Sequence, residues 1–160
     1  SISFYYHDHE LSRVNYADYH LSNFFSLPLH APVAYSFPDK RGGRVNVPQT
    51  SSLIGTVIDK NKIKRTVKLL TVDGVVNLKI WNTQFAKYDK QISEKGSDGK
   101  KHVVEKSWFK RGTLLLVTGV RRENNFVPKV NKTSAYEFPI LKIVDVSETG
   151  ELTFKLERDE

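Results

Sequence analysis

The amino-acid sequence predicts a mainly β fold. We expect a five-stranded Greek-key barrel with one helix between the third and fourth strands, preceded by a helical or irregular N-terminal arm. Three observations lead to this prediction. From about residue 51, apolar and polar residues alternate with a period of two, which is typical of strands with one buried face. Residues 82–92 switch to helical spacing, and residues 1–50 follow neither pattern for long.

Residues 1–50 form the predicted arm, which we expect to be the end of an upstream module. A loose apolar stripe predicts a helix from about Asp8 to Phe25. The stripe consists of Leu11, Val14, Tyr19, Leu21 and Phe25. Three prolines and the DKRGGR turn then interrupt any longer element, which predicts a connecting hairpin or arm.

Residues 51–160 form the predicted barrel domain, and its first three strands are the clearest elements. The stretch SLIGTVIDK is apolar and β-branched, and RTVKLLTVDGVVNLKIW reads as two alternating runs around a tight VDG turn. In the second of these runs Leu78 and Ile80 face one way, whereas Lys79 and Trp81 face the other. The sequence therefore predicts a hairpin with an outward face that carries cations and an aromatic ring.

A helix and three further strands complete the predicted barrel. In NTQFAKYDKQI, residues Phe85, Tyr88 and Ile92 recur at helical spacing, and Asn82 or Thr83 can cap the first turn. A polar loop and a short strand within HVVEKSWFKRG follow. TLLLVTGVRRENNFVPKV then predicts a strand, a basic turn and a strand, and the last segment predicts a hairpin around ETG. This order is that of the OB-fold.

Positive charge is concentrated in the middle of the chain. The whole chain has a formal net charge of +7, and residues 60–132 carry 18 Lys and Arg against 6 Asp and Glu. Such a field attracts polyanions, of which nucleic acid is the commonest, although a solvated surface has the same composition. Single-stranded nucleic acid is the partner that the rest of the pattern favours.

The predicted binding residues lie on the outward face and in two basic loops. In OB-folds this face and these loops carry oligonucleotides, because bases stack on aromatic rings and cations follow the phosphates. We expect the two loops to meet on one rim of the barrel. Trp81 has an alternative, which is to turn inward and pack under the helix. The predicted set is Lys60, Lys62, Lys64, Arg65, Lys68, Lys79, Trp81, Arg121, Arg122, Phe126 and Lys129, with Asn77 beside them on the face.

Several function classes find no support in the sequence. There is no cysteine, and therefore no disulfide or thiolate zinc site. His7 and His9, in the HDHE motif, are weak metal candidates, because no third ligand stands at a known spacing from this pair. We predict no catalytic residue, no metal and no cofactor.

No apolar run reaches the roughly 20 residues of a membrane helix, so we expect a cytoplasmic chain with no membrane contact. Because methionine is absent, we expect a piece of a longer protein.

The residues also carry a family resemblance. GTVIDKNKIKRTVKLLTVDGVVNLKIWNTQFAKYDKQI resembles the OB domain near the C-terminal end of bacterial and phage DNA polymerase III alpha chains, most firmly over residues 51–130. The matching features are a G-x-V first strand, a basic turn, the T-x6-D-G hairpin and the strand end leading into F-A-K-Y. Trp81 stands where that family often has Phe. The resemblance implies a DNA-directed DNA polymerase, a nucleotidyltransferase, whose catalytic aspartates lie elsewhere.

The predicted function is that of a binding module within such a polymerase. Together with the positive charge and the outward face that carries Trp81, the resemblance implies that the chain holds single-stranded template DNA. Two alternatives remain open. The barrel could be a docking module for other replication subunits or for the rest of the polymerase chain, or the chain could be an enzyme in its own right, with the HDHE motif as the sole support.

Overall fold

The computed structural model describes residues 11–155. A 3-10 helix, Phe24–Ser26, comes first. The strands are β1 (Val33–Pro38), β2 (Arg44–Pro48), β3 (Ser51–Asn61), β4 (Thr66–Thr71), β5 (Gly74–Lys79), β6 (Ile92–Lys95), β7 (Lys101–Glu105), β8 (Leu114–Arg122), β9 (Asn125–Pro128), β10 (Ile140–Val146) and β11 (Leu152–Lys155). Helix α1 (Asn82–Asp89) lies between β5 and β6 in the chain. The fold is mainly β, as the sequence predicts.

Five strands close into a barrel. Strand β3 pairs with β4 on one side and with β8 on the other, and β4 pairs with β5. The closure comes from β9, which pairs in parallel with β5 and antiparallel with β8. Gly119 permits the closure, because a Cβ atom there would overlap the carbonyl oxygen of Val127 on β9. This arrangement is consistent with an OB-like barrel.

The barrel interior is filled by the inward residues of the alternating strands. Val67 and Leu69 of β4 and Val76 and Leu78 of β5 have no exposed surface, which confirms the predicted period of two. Helix α1 adds Phe85 and Tyr88 to the same cluster. Burial of these side chains supplies the main stabilisation of the barrel.

The segment before the barrel differs from its prediction. Within the described part of the predicted helix, Leu11 and Ser12 are helical, but residues 13–20 contain turns and a bend, and His20 has a positive φ of 56°. Leu11 and Val14 pack into a cluster with Leu116 on the outside of the barrel. The prediction is wrong for residues 13–20, because the chain turns there and the apolar side chains pack on the barrel from turns. The boundary after residue 50 stays a prediction.

Strands β10 and β11 extend the barrel sheet beside β8. Strand β10 pairs with β8 and β11 pairs with β10, which confirms the predicted final hairpin. Tyr136 packs near this hairpin, and its hydroxyl donates to the carbonyl of Tyr19 at 2.6 Å. Burial raises the pKa of Tyr136. The early segment and the late segment of the chain are therefore held together on this side.

Two hairpins project from the barrel. Strands β1 and β2 form one, and β6 and β7 form the other, where the sequence predicted a loop and a short strand. The first exposes Val33, Phe37 and Val45, of which Val45 and Phe37 pair across the strands. Among residues 11–155, no helix is long and apolar enough to cross a membrane.

Candidate nucleic-acid interface

The loop between β3 and β4 holds a fixed shape. The side-chain oxygen of Asn61 accepts hydrogen bonds from the backbone N–H groups of Ile63 and Lys64, at 3.1 and 3.0 Å. Arg65 takes a positive φ of 56°, which turns the chain into β4. Lys62, Lys64 and Arg65 are all exposed. The predicted cations therefore stand in solvent on a backbone that is already ordered.

Lys60 is less available than the other cations of this loop. Its ammonium lies 2.6 Å from the Oδ1 atom of Asp89, at the end of α1, and its side chain is 30% exposed. Asp89 also accepts a hydrogen bond from Ser107 at 2.9 Å and lies 3.9 Å from the ammonium of Lys62. Asp89 therefore connects the basic loop to α1 and to the turn before β8.

The outward face of β4 and β5 has the predicted polarity. Lys68 and Lys79 are exposed, whereas their neighbours in the chain point into the barrel. Asn77 is half-buried, and its amide donates to the side-chain oxygen of Asn125 at 2.7 Å, across the β5–β9 pair. A groove of about 250 Å³ runs along this face, lined by Asp59, Lys60, Asn61, Lys64, Thr66, Lys68 and Asn77.

Trp81 lies beside the basic loop and points outward. The N–H group of Ile80 donates to the carbonyl of Arg65 at 3.0 Å, so Trp81 follows directly at the loop. The tryptophan side chain is 69% exposed, while its carbonyl accepts the first hydrogen bond of α1 from Phe85. The inward alternative is therefore wrong, and a flat aromatic surface stands next to Lys79 and the loop.

Arg121 has a different environment from the one the sequence predicted. Its Nη1 atom donates to the carbonyls of Phe24 and Leu27, at 2.8 and 3.1 Å, and its Nε donates to the carbonyl of Glu123 at 2.7 Å. The guanidinium also lies 4.3 Å from the centre of the Phe24 ring. These contacts fasten the segment before β1 to the barrel, so Arg121 is a structural residue here.

Phe126 is the second correction. The ring has no exposed surface and meets the Phe24 ring edge-on, with 6.1 Å between centroids. It cannot stack on a base without leaving the core. The sequence placed it in a basic turn, but the alternation of β9 directs Phe126 inward and Asn125 outward.

The two basic loops lie at opposite ends of the face, and not on one rim as predicted. Strand β3 pairs antiparallel with β8, with Ser51 opposite Gly119, so the β3–β4 loop and the β8–β9 turn are separated along the strands. Arg122 and Lys129 are exposed at the β8–β9 end. There the backbone of His30 forms an antiparallel β-bridge with that of Arg122, and the N–H group of Glu123 donates to the carbonyl of Leu29.

Sequence reasoning missed Ile63. Its side chain is 89% exposed at the tip of the β3–β4 loop, between two exposed lysines. An apolar side chain in that position can pack against a base while the lysines contact phosphates. The signal was an isolated apolar residue inside a charged turn, where no strand or helix pattern accounts for it.

A metal site is absent from the part of the chain that the structure describes. No group of three or more His, Cys, Asp or Glu side chains within residues 11–155 could hold a metal ion. His7 and His9, the candidates from the sequence, lie outside the described residues.

Two curated proteins are similar to the whole chain. They are the protein named Probable DNA polymerase YorL from Bacillus subtilis (strain 168) and the protein named DNA-directed DNA polymerase from Bacillus phage SPbeta. Each is 46% identical over 160 residues, which is 100% of this chain and 12% of the relative. The chain therefore corresponds to one segment of these DNA polymerases. No protein-family model matches the chain, and no solved structure matches it.

Proposed function

We propose that this chain is a non-catalytic OB-fold segment of a replicative DNA polymerase, of the polymerase III alpha type, that binds single-stranded template DNA in the cytoplasm. The main support for this proposal is the position of Trp81, whose largely exposed ring lies beside the lysines of the β3–β4 loop and of the β4–β5 face. Two relatives named as a probable DNA polymerase and a DNA-directed DNA polymerase, similar over the whole chain, support the polymerase part of this proposal.

Two interactions support binding: DNA bases stack on an aromatic ring, and cations neutralise the DNA phosphates. Base stacking on an aromatic ring contributes about 1–3 kcal/mol per base, and it tolerates any sequence because every base has a π face. Lys64, Lys68 and Lys79 are placed to follow the phosphates, together with Lys62 and Arg65. In this proposal the segment keeps the template near the active site of the polymerase through a weak, tethered contact.

Fluorescence anisotropy of a labelled oligothymidylate tests the proposal, with the matching duplex as comparator and the salt concentration varied. We expect tighter binding to the single strand and a steep loss of affinity with salt, by a slope of about −0.7 per neutralised phosphate. Equal affinity for the duplex would contradict stacking. No binding at low salt would contradict the function as a whole.

A second candidate function is docking to another replication protein or to the rest of the polymerase. The β1–β2 hairpin favours it, because Val33, Phe37 and Val45 are exposed on an element that projects from the barrel. This candidate predicts that replacing Phe37 and Val45 by Ser weakens a complex with a replication subunit, measured by co-purification, while DNA affinity is unchanged.

A further inference from the structure

The turn before β8 presents two lysines from a rigid support. Lys106 and Lys110 are exposed, whereas Trp108 and Phe109 between them are 0% and 1% exposed. The N–H group of Lys110 donates to the carbonyl of Ser107, and the N–H group of Phe109 donates to the Ser107 hydroxyl. The two buried rings and these hydrogen bonds hold the backbone of both lysines in place.

Both lysines line one open pocket of about 520 Å³ beside the turn before β8. The pKa of Lys110 is lowered from the usual lysine value because its side chain interacts with the like-charged side chain of Lys106. An anion bound in the pocket would offset this repulsion. The shared pocket therefore has the chemistry of a site for one phosphate group.

Two neighbouring carboxylates have other partners. Asp89 is held by Lys60 and Ser107, at 2.6 and 2.9 Å. Glu105 accepts a hydrogen bond from the indole of Trp108 at 2.7 Å and pairs with Lys155 at 2.9 Å. The pocket itself is lined by one carboxylate, that of Asp59, against the cations of Lys106, Lys110 and Arg111, so its formal charge is positive.

This pocket adjoins the groove on the β4–β5 face. Asp59 and Lys60, near the end of β3, line both. On its far side Lys110 also lines a third depression, which reaches Lys142 of β10. Cations therefore continue from the face around one end of the barrel.

At the other end of the face the chain itself packs against the β8–β9 turn. Leu29 and His30 pair with this turn, beside a depression of about 460 Å³ that Arg121 and Arg122 line. Arg121 is already held there by the carbonyls of the segment that carries Phe24. At the β3–β4 end a strand lying on the face meets the open pocket of Lys106 and Lys110.

We propose that Lys106 and Lys110 form a phosphate-binding site for single-stranded DNA as it leaves the β4–β5 face across the end of β3. The bound strand then bends around the barrel end nearest the β3–β4 loop, and does not continue to the β8–β9 turn. This inference rests on the proposed function, because it concerns the path of the same ligand.

The test compares three double variants of the 160-residue chain on oligothymidylates of about 4 and about 16 nucleotides, the usual limits of OB-fold sites. They are K106A/K110A, the face variant K64A/K68A, and the control K100A/K101A, which removes the same charge from the exposed end of the β6–β7 hairpin. Thermal unfolding checks that each variant is folded. Affinity is measured by anisotropy over a range of salt concentrations.

We expect K106A/K110A to bind the long oligonucleotide about 10-fold more weakly, with a salt slope smaller by about 0.7, the contribution of one phosphate, and to bind the short one normally. K64A/K68A should weaken both, and the control should weaken neither. If K106A/K110A behaves like the control while K64A/K68A weakens binding, the path is wrong and the function stands. If the parent chain binds neither oligonucleotide, both proposals fail.

Discussion

The β3–β4 loop and the β8–β9 turn look alike in the sequence and differ in the structure. Both are short basic connections between strands of the same barrel. In the first, Lys62, Lys64 and Arg65 extend into solvent. In the second, Arg121 is held by three backbone carbonyls and Phe126 is fully buried.

The difference arises from what lies next to each connection. A segment from early in the chain runs past the β8–β9 turn and presents carbonyl groups at the end of a 3-10 helix. Such carbonyls need donors when they are partly buried, and a planar guanidinium supplies several at once. No comparable segment lies at the β3–β4 loop within the described residues. A basic run is therefore a ligand site only where the fold leaves its donors without backbone partners.

Phe126→Ala should have the largest effect, and it acts on stability. Removing a fully buried ring leaves a cavity and should lower the free energy of unfolding by about 3–5 kcal/mol. Urea denaturation measures this loss. The control is Phe37→Ala on the exposed hairpin, which should change it by about 0.5 kcal/mol or less. If Phe126→Ala has the same free energy of unfolding as the parent chain but binds DNA more weakly, Phe126 is a binding residue and the correction is wrong.

Arg121→Ala should lower the free energy of unfolding by about 2 kcal/mol, because two part-buried carbonyls lose a charged donor. Arg121→Lys should be nearly as unstable, since one ammonium cannot reproduce the planar fork. The matched control is Arg122→Ala, whose side chain is exposed. If Arg121→Lys has the free energy of unfolding of the parent chain, positive charge alone is enough at this position, and the structural role of the guanidinium is wrong.

Trp81→Ala changes the exposed ring at the β3–β4 end of the face. We expect a loss of about 1–3 kcal/mol in DNA binding, roughly 5- to 150-fold in Kd, because one stacked base loses its ring. The free energy of unfolding should stay within about 0.5 kcal/mol, as the side chain is 69% exposed. Anisotropy and urea denaturation on the same sample measure both. Unchanged affinity would remove stacking from the mechanism.

The smallest effects should come from single exposed cations. Lys68→Ala should reduce the salt slope of DNA binding by about 0.7, the contribution of one phosphate contact on a single strand. Arg122→Ala and Lys129→Ala, at the β8–β9 end, should change the slope less. If Arg122→Ala or Lys129→Ala reduces the salt slope more than Lys68→Ala does, the β8–β9 end contributes more to binding, and the difference proposed between the two ends is wrong.

The strands could be predicted from the sequence because each has one buried and one exposed face. Val67, Leu69, Val76 and Leu78 fix the register of the hairpin, and the outward positions of Lys68, Lys79 and Trp81 follow directly. Binding candidates on these strands could therefore be read from alternation alone.

The environment of the loop residues could not be predicted in the same way. Arg121 is held by the carbonyl of Phe24, 97 residues away in the chain, and lies over its ring, and the local pattern contains no information on that contact. The N-terminal segment was misassigned for the same reason, since Leu11 and Val14 pack against distant β8. Ile63 and the Lys106–Lys110 pair became visible only when exposure and proximity were known.

The contact between Arg121 and the carbonyl of Phe24 spans 97 residues, and it has a consequence for how the chain folds. Closing so long a loop costs conformational entropy before the contact is formed, and folds dominated by such contacts fold slowly, over milliseconds to seconds. The β3–β4–β5 meander is local and needs none of these contacts. The β4–β5 face therefore has the means to assemble early in folding, and the β8–β9 end of the barrel forms its contacts with the early segment last.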